Sequence, residues 1–113
     1  MVTGESHPAL DRELHHPTRL ALVAYLSAST EAEFGVLRDY CGISDSVTSK
    51  TVSALEKLAY VHVRKGYVGK RPRTWVSLTP RGRTALGTHL AALEAIVTAA
   101  RTAGGAGGAG GTA

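Results

Sequence analysis

A single cysteine, Cys41, is all the thiol chemistry this sequence contains. No internal disulfide can form, so a reducing, cytoplasmic setting is expected. No apolar run approaches the roughly 18–20 residues that cross a bilayer, so no membrane association is expected. The first nine residues hold Glu5 and no basic stretch leading into an apolar one, which does not read as a secretory signal. Five histidines (His7, His15, His16, His62 and His89) show neither HxxxH nor HExxH spacing. With one cysteine beside them, a metal site within one chain is not expected. A Gly-rich phosphate loop, a catalytic triad and paired acids are likewise missing, so neither an enzyme nor a cofactor is expected. At 113 residues the chain has room for one domain.

Acidic residues are missing from one long stretch. Between Lys57 and Leu93 there are none, while Lys57, Arg64, Lys65, Lys70, Arg71, Arg73, Arg81 and Arg83 all fall there. The net charge of +4 conceals this asymmetry: residues 1–45 carry seven acids against Arg12, Arg19 and Arg38, and residues 46–113 carry ten bases against Glu56 and Glu94. A one-sided basic surface suits a polyanion, because each neutralised phosphate releases condensed counterions. A merely solvated face interleaves both signs.

The apolar spacing predicts the elements. Residues 8–15 read as a short helix, with Leu10 and Leu14 on one face. Pro17 suits the first turn of a central helix reaching Ala28. Residues 29–33 read as a break. A short helix is expected over 36–41, capped by Gly35 and stopped at Gly42. A longer one then runs from Asp45 or Ser46 to Leu58, packing through Thr48, Val52, Leu55 and Leu58. Short helix, glycine turn and longer helix form a helix-turn-helix. Residues 60–65 and 74–78 read as strands around a basic loop, its tip at Lys70-Arg71-Pro72-Arg73. Thr79-Pro80 starts a last helix, expected to end near Thr102. Leu86, Leu90, Leu93, Val97 and Ala100 in it follow the spacing of coiled-coil contact positions. Residues 103–113, a Gly/Ala repeat, read as a flexible tail after one domain spanning residues 1–102.

In this order the segments resemble the winged-helix regulators of the MarR and ArsR type, most closely a minimal single-domain group. His16-Pro17-Thr18-Arg19-Leu20 looks like the opening of that family's first core helix, and Phe34-Gly35-Val36-Leu37-Arg38 like the start of its helix-turn-helix. Leu55-Glu56-Lys57-Leu58-Ala59-Tyr60-Val61 resembles the passage from recognition helix to wing. Gly69-Lys70-Arg71-Pro72-Arg73-Thr74 and Leu78-Thr79-Pro80-Arg81-Gly82-Arg83 match the wing and the final helix start. Two positions depart from the pattern: Gly35 where the family has Ser or Thr, and Ala59 where it has Gly. The resemblance implies a mainly α fold with a small β-hairpin wing and a long C-terminal helix. It also implies a double-stranded-DNA-binding transcriptional regulator that forms a homodimer.

On that reading the recognition helix turns Ser46, Val47, Ser49, Lys50 and Ser53 to the major groove. Lys50 is the one residue there able to read guanine or clamp a phosphate. The wing adds Arg64 and Lys65 toward phosphates and Lys70, Arg71 and Arg73 toward a narrow minor groove. Dimerisation is expected through Leu10, Leu14, Leu86, Leu90, Leu93 and Val97. Alternatives are a regulator responsive to a small-molecule effector or to redox state, or a winged helix used to bind protein. Cys41 reads as inert core, with a redox switch as its alternative.

Overall fold

Pro17 fixes where the first helix begins. The residue before a proline is pushed out of helical geometry, and His16 is extended (φ −153°, ψ 120°), so α1 (Pro17–Ser27) starts at the ring. The computed structural model describes residues 10–108. After α1 come β1 (Ala32–Glu33), α2 (Phe34–Cys41), α3 (Asp45–Lys57), β2 (Val61–Val68), β3 (Arg71–Leu78) and α4 (Pro80–Gly108). The strands form one antiparallel sheet in the order β1-β3-β2. This is the mainly α, winged helix-turn-helix architecture expected. Leu22, Val23 and Leu26 of α1 are buried against Leu37, Val52, Leu55, Val61 and Val76, which makes α1 the centre of the core.

Residues 29–33 are not simply a break. Ala32 pairs with Val76 and Glu33 with Trp75, adding a third strand to the hairpin. The chain therefore leaves a strand directly into α2, which begins at Phe34 with Glu33 before it, not at Val36 with Gly35 as cap. Gly42 ends α2 in the left-handed region (φ 65°), where a residue without Cβ is at ease, and Ile43 N–H reaches back to the Arg38 carbonyl at 3.2 Å. Ser44 caps α3, its hydroxyl accepting from Val47 N–H at 3.1 Å. Thr48 and Thr51 are buried on α3 because their hydroxyls donate to the carbonyls of Ser44 (2.8 Å) and Val47 (2.7 Å). At the end of α3, Ala59 takes a left-handed conformation (φ 62°) where the resembled family has Gly. That costs about 1–2 kcal/mol.

The hairpin is longer than expected. Val68 pairs with Arg71, so the loop is only Gly69-Lys70, with Gly69 (φ 64°) supplying the positive φ a two-residue turn needs first. Gly66 and Pro72 are strand residues. Gly66 lies beneath the Trp75 ring, where an added Cβ would sit 3.2 Å from Cζ3. Pro72 is tolerated because β1 reaches only Val76 and Trp75, leaving β3 with a partner on one side there.

Two expectations for the ends of the chain are corrected. Within the described part of residues 8–15 there is a single turn, with Leu14 and His15 N–H donating to the Asp11 carbonyl, and no helix. Pro8 and Ala9 lie outside the described residues. Leu14 is fully buried in the core, and Leu86 nearly so. Neither can face a partner chain, because both already complete this chain's own interior. At the other end α4 continues past Thr102 through Gly108. Residues 103–108 hold four glycines and two alanines, so intrinsic propensity opposes this extension; what favours it is that lengthening an existing helix adds a hydrogen bond for each residue fixed. Residues 109–113 lie outside the described part.

The inner face of α4 is Gly82, Leu86, His89 and Ala92, not the full leucine stripe. His89 is wholly buried, its Nδ1 accepting from Asp11 N–H at 3.0 Å. The ring proton therefore sits on Nε2, which has no hydrogen-bond partner among the described residues. Burial, and then the nearby His15 ring, hold His89 below its ordinary value of 6.5. The folded state thus keeps His89 neutral where the unfolded chain has already taken a proton. Stability is expected to fall on acidification from about pH 7 to about pH 5, and to be whole above the unfolded value. Thermal melts across that range should show a shallower dependence for His89→Gln than for wild type. Equal slopes would remove His89 as the cause.

Candidate nucleic-acid interface

With Thr48, Val52 and Leu55 in the core, the opposite side of α3 carries Ser46, Val47, Ser49, Lys50 and Ser53, all exposed. The expected contact face is thus brought together on one helix whose start is fixed by the Ser44 cap. Arg38, which sequence reading missed, ties α2 to that start. Its guanidinium bridges Asp39 (2.8 Å) and Asp45 (2.9 Å), holding the Asp39 carboxyl below the usual carboxylate range. Only the tight Gly42 turn brings Arg38 and Asp45 together.

Alternation along the strands sorts the wing into two faces. Lys65, Tyr67, Pro72 and Thr74 share the face of buried Val61 and Val76, which lies against α3. Arg64, Arg71 and Arg73 are on the other. A small groove of about 210 Å³ separates α3 from the first face, with Ser49, Ser53, Lys65 and Thr74 on its walls. A larger one of about 550 Å³ opens between β3 and the starts of α2 and α3, bordered by Arg38, Asp45, Arg71 and Arg73.

The wing cations are not equivalent. Lys65, Lys70 and Arg71 are exposed, and Lys70 and Arg71 stand at the tip. Arg73, expected at the tip, pairs across from Gly66 within the strands, and its Nε lies 2.6 Å from Glu33 Oε2. Arg64, expected toward phosphate, is bonded to Glu31 at 2.5 Å and lies 4.2 Å over the Trp75 ring. Arg64 in turn holds the Glu31 carboxyl below its ordinary range. Tyr67, 72% exposed beside the basic tip, is a further surface residue that the loop expected around it does not reveal. Its position between Gly66 and Gly69 in a basic hairpin was the available signal.

Of the residues expected to dimerise, Leu90 and Val97 are each 46% exposed, Leu93 and Leu10 are half-buried, and Leu14 and Leu86 are core. Leu10 and Asp11 border an open, mainly apolar groove of about 550 Å³, with Tyr60, Arg81, Ala85 and Thr88 opposite. The Tyr60 hydroxyl donates to Asp11 Oδ2 at 2.5 Å, and burial followed by that acid pushes its pKa up to about 12. Burial also pushes the Cys41 thiol up, the opposite of an activated thiolate. Among the described residues no helix is long and apolar enough to cross a membrane.

The sequence matches the winged helix DNA-binding domain family over residues 18–97. In fold it is similar to a transcriptional regulator homologue from Pyrococcus horikoshii OT3 (24% identity, 79% of this chain and 88% of that one, TM-score 0.73). It is also similar to a MarR family transcriptional regulator from Silicibacter pomeroyi DSS (32% identity, TM-score 0.56), covering 66% of this chain and about half, 49%, of that one. A third likeness is to BpsR of Bordetella bronchiseptica, whose DNA binding is regulated by 6-hydroxynicotinic acid (16% identity, 88% and 73% covered, TM-score 0.63). No curated protein sequence matches significantly.

Proposed function

The chain belongs to the winged helix DNA-binding domain family, whose members are regulators and not enzymes, and we propose that it binds double-stranded DNA sequence-selectively as a homodimer to regulate transcription. The observation that supports this most is the exposed row Ser46–Val47–Ser49–Lys50–Ser53 on α3 beside the exposed wing cations Lys65, Lys70 and Arg71. In the major groove the serines donate or accept, Val47 meets a thymine methyl, and Lys50 reads guanine or clamps a phosphate. No Arg, Asn or Gln stands in that row for bidentate readout, so groove shape carries much of the selectivity.

The homodimer is supported by α4. Beyond Ile96 its side chains are exposed through Gly105, and Leu90 and Val97 offer apolar surface with no cover among the described residues. One winged helix buries little surface on DNA, and two joined copies gain from effective concentration. The effector-responsive alternative rests on the apolar groove beside Tyr60, together with the ligand control of BpsR.

Titrating labelled duplexes chosen from a random pool tests the proposal, with sedimentation at micromolar concentration checking the dimer. Lys50→Ala is expected to lower preference for the chosen sequence over random duplex by roughly tenfold, near the low end of one good base contact. Wild-type binding that ignores both sequence and salt would sink the DNA reading and favour a protein partner.

A further inference from the structure

The two arginines at the base of the wing are already occupied in the free protein. Arg73 is held by Glu33, and Arg64 by Glu31. Both acids come from the short stretch around β1, a strand of only two residues laid against Val76 and Trp75 of β3. That register sets one carboxylate on each side of Ala32 over the wing base. The Arg64 guanidinium is kept over the Trp75 ring, and Arg73 opens into the groove that Arg38 and Arg71 also border. At the recognition-helix end of that groove the arrangement repeats, with Arg38 held by Asp45.

A carboxylate offers a guanidinium the same pair of acceptor oxygens that a phosphate does. All these pairs keep part of their surface in water, Arg73–Glu33 the least, so solvent screens them and lets the partners exchange. We propose that Glu31 and Glu33 are phosphate placeholders: they occupy Arg64 and Arg73 until backbone phosphates of DNA displace them. The proposal rests on the DNA-binding reading above and adds to it the residues that set affinity. Binding at the wing base is then an exchange of one anion for another. Each displaced acid is left near the incoming phosphates, so the acids lower affinity while keeping the arginines extended. Non-specific binding, which depends wholly on phosphate contacts, is penalised along with specific binding. The wing tip, with Lys70 and Arg71 and no acid beside it among the described residues, makes first contact.

Duplex affinity measured at several salt concentrations for wild type, Glu31→Gln, Glu33→Gln and the double variant decides the matter. Glutamine keeps the shape and the strand backbone, and urea unfolding verifies that each variant is folded. The double variant is expected to bind on the order of tenfold more tightly, with the log–log salt slope steeper by up to about one unit per released arginine. Each single variant should show part of that gain. Adding Arg64→Ala and Arg73→Ala to the double variant should erase it. If wild type binds DNA and the glutamine variants bind equally or more weakly, the acids are struts and the proposal is wrong. If no protein binds duplex, the DNA reading falls and takes the proposal with it.

Discussion

Replacing Gly82 by Ala is expected to cost about 3 kcal/mol of stability, the upper range for forcing one carbon into a packed site. A Cβ at residue 82 would lie 2.1 Å from the Tyr60 carbonyl oxygen and 2.7 Å from Leu78 Cδ1. The carbonyl cannot retreat cheaply, since it accepts from Thr79 N–H at 3.0 Å, and the Thr79 hydroxyl, which donates to the Ala59 carbonyl at 2.6 Å, lies 3.1 Å from it. That hydroxyl also accepts from Gly82 N–H at 2.9 Å, so the cap of α4, the end of the α3–β2 turn and Gly82 form one unit. A loss of that size lowers the melting temperature by roughly 12 °C or more in a domain this small. Gly87→Ala, on the same helix with nothing within 4 Å of its added Cβ, should instead gain about 1 kcal/mol. Two alanine variants of equal stability would show that the close approach at Tyr60 is not what fixes α4.

Removing the wing tip should have the largest effect on binding. Lys70→Ala with Arg71→Ala is expected to weaken duplex affinity by about 2–4 kcal/mol, taking each contact at about 1–2. The salt slope should flatten by about one unit per phosphate contact removed. Arg73→Ala should do far less in the wild-type chain, because Glu33 offsets its charge at 2.6 Å. Anisotropy titrations of the same duplex at two salt concentrations provide the comparison. An Arg73→Ala loss as large as that of the tip pair would mean the Glu33 contact does not hold in solution.

The unequal arginines illustrate what sequence reading reaches. Arg71 and Arg73 sit two residues apart in the same basic run, and nothing local separates them. The difference lies in Glu33, forty residues earlier in the numbering, and in a strand pairing that local period cannot detect. The same holds for Gly66 and Pro72, which locally signal a loop yet lie in strands because the opposite strand supplies partners. Ala59 shows the converse: its left-handed turn was a foreseeable strain, and the fold accepts it because Tyr60 must reach both Leu55 and Thr79 through backbone hydrogen bonds.

What the sequence by itself determined is whatever short-range chemistry decides. Pro17 and Thr79-Pro80 set helix starts, Gly42 sets a stop, and the spacing of Thr48, Val52 and Leu55 turns the Ser/Lys face of α3 outward. Each of these acts within one or two helical turns, so neighbours in sequence suffice to read them. Tertiary structure alone decided that Leu14 and Leu86 close the core, that Glu31 and Glu33 neutralise the wing base, and that Gly82 abuts Tyr60. Those outcomes depend on which distant surfaces meet. Burial and ion pairing act between groups close in space, whatever their separation along the chain.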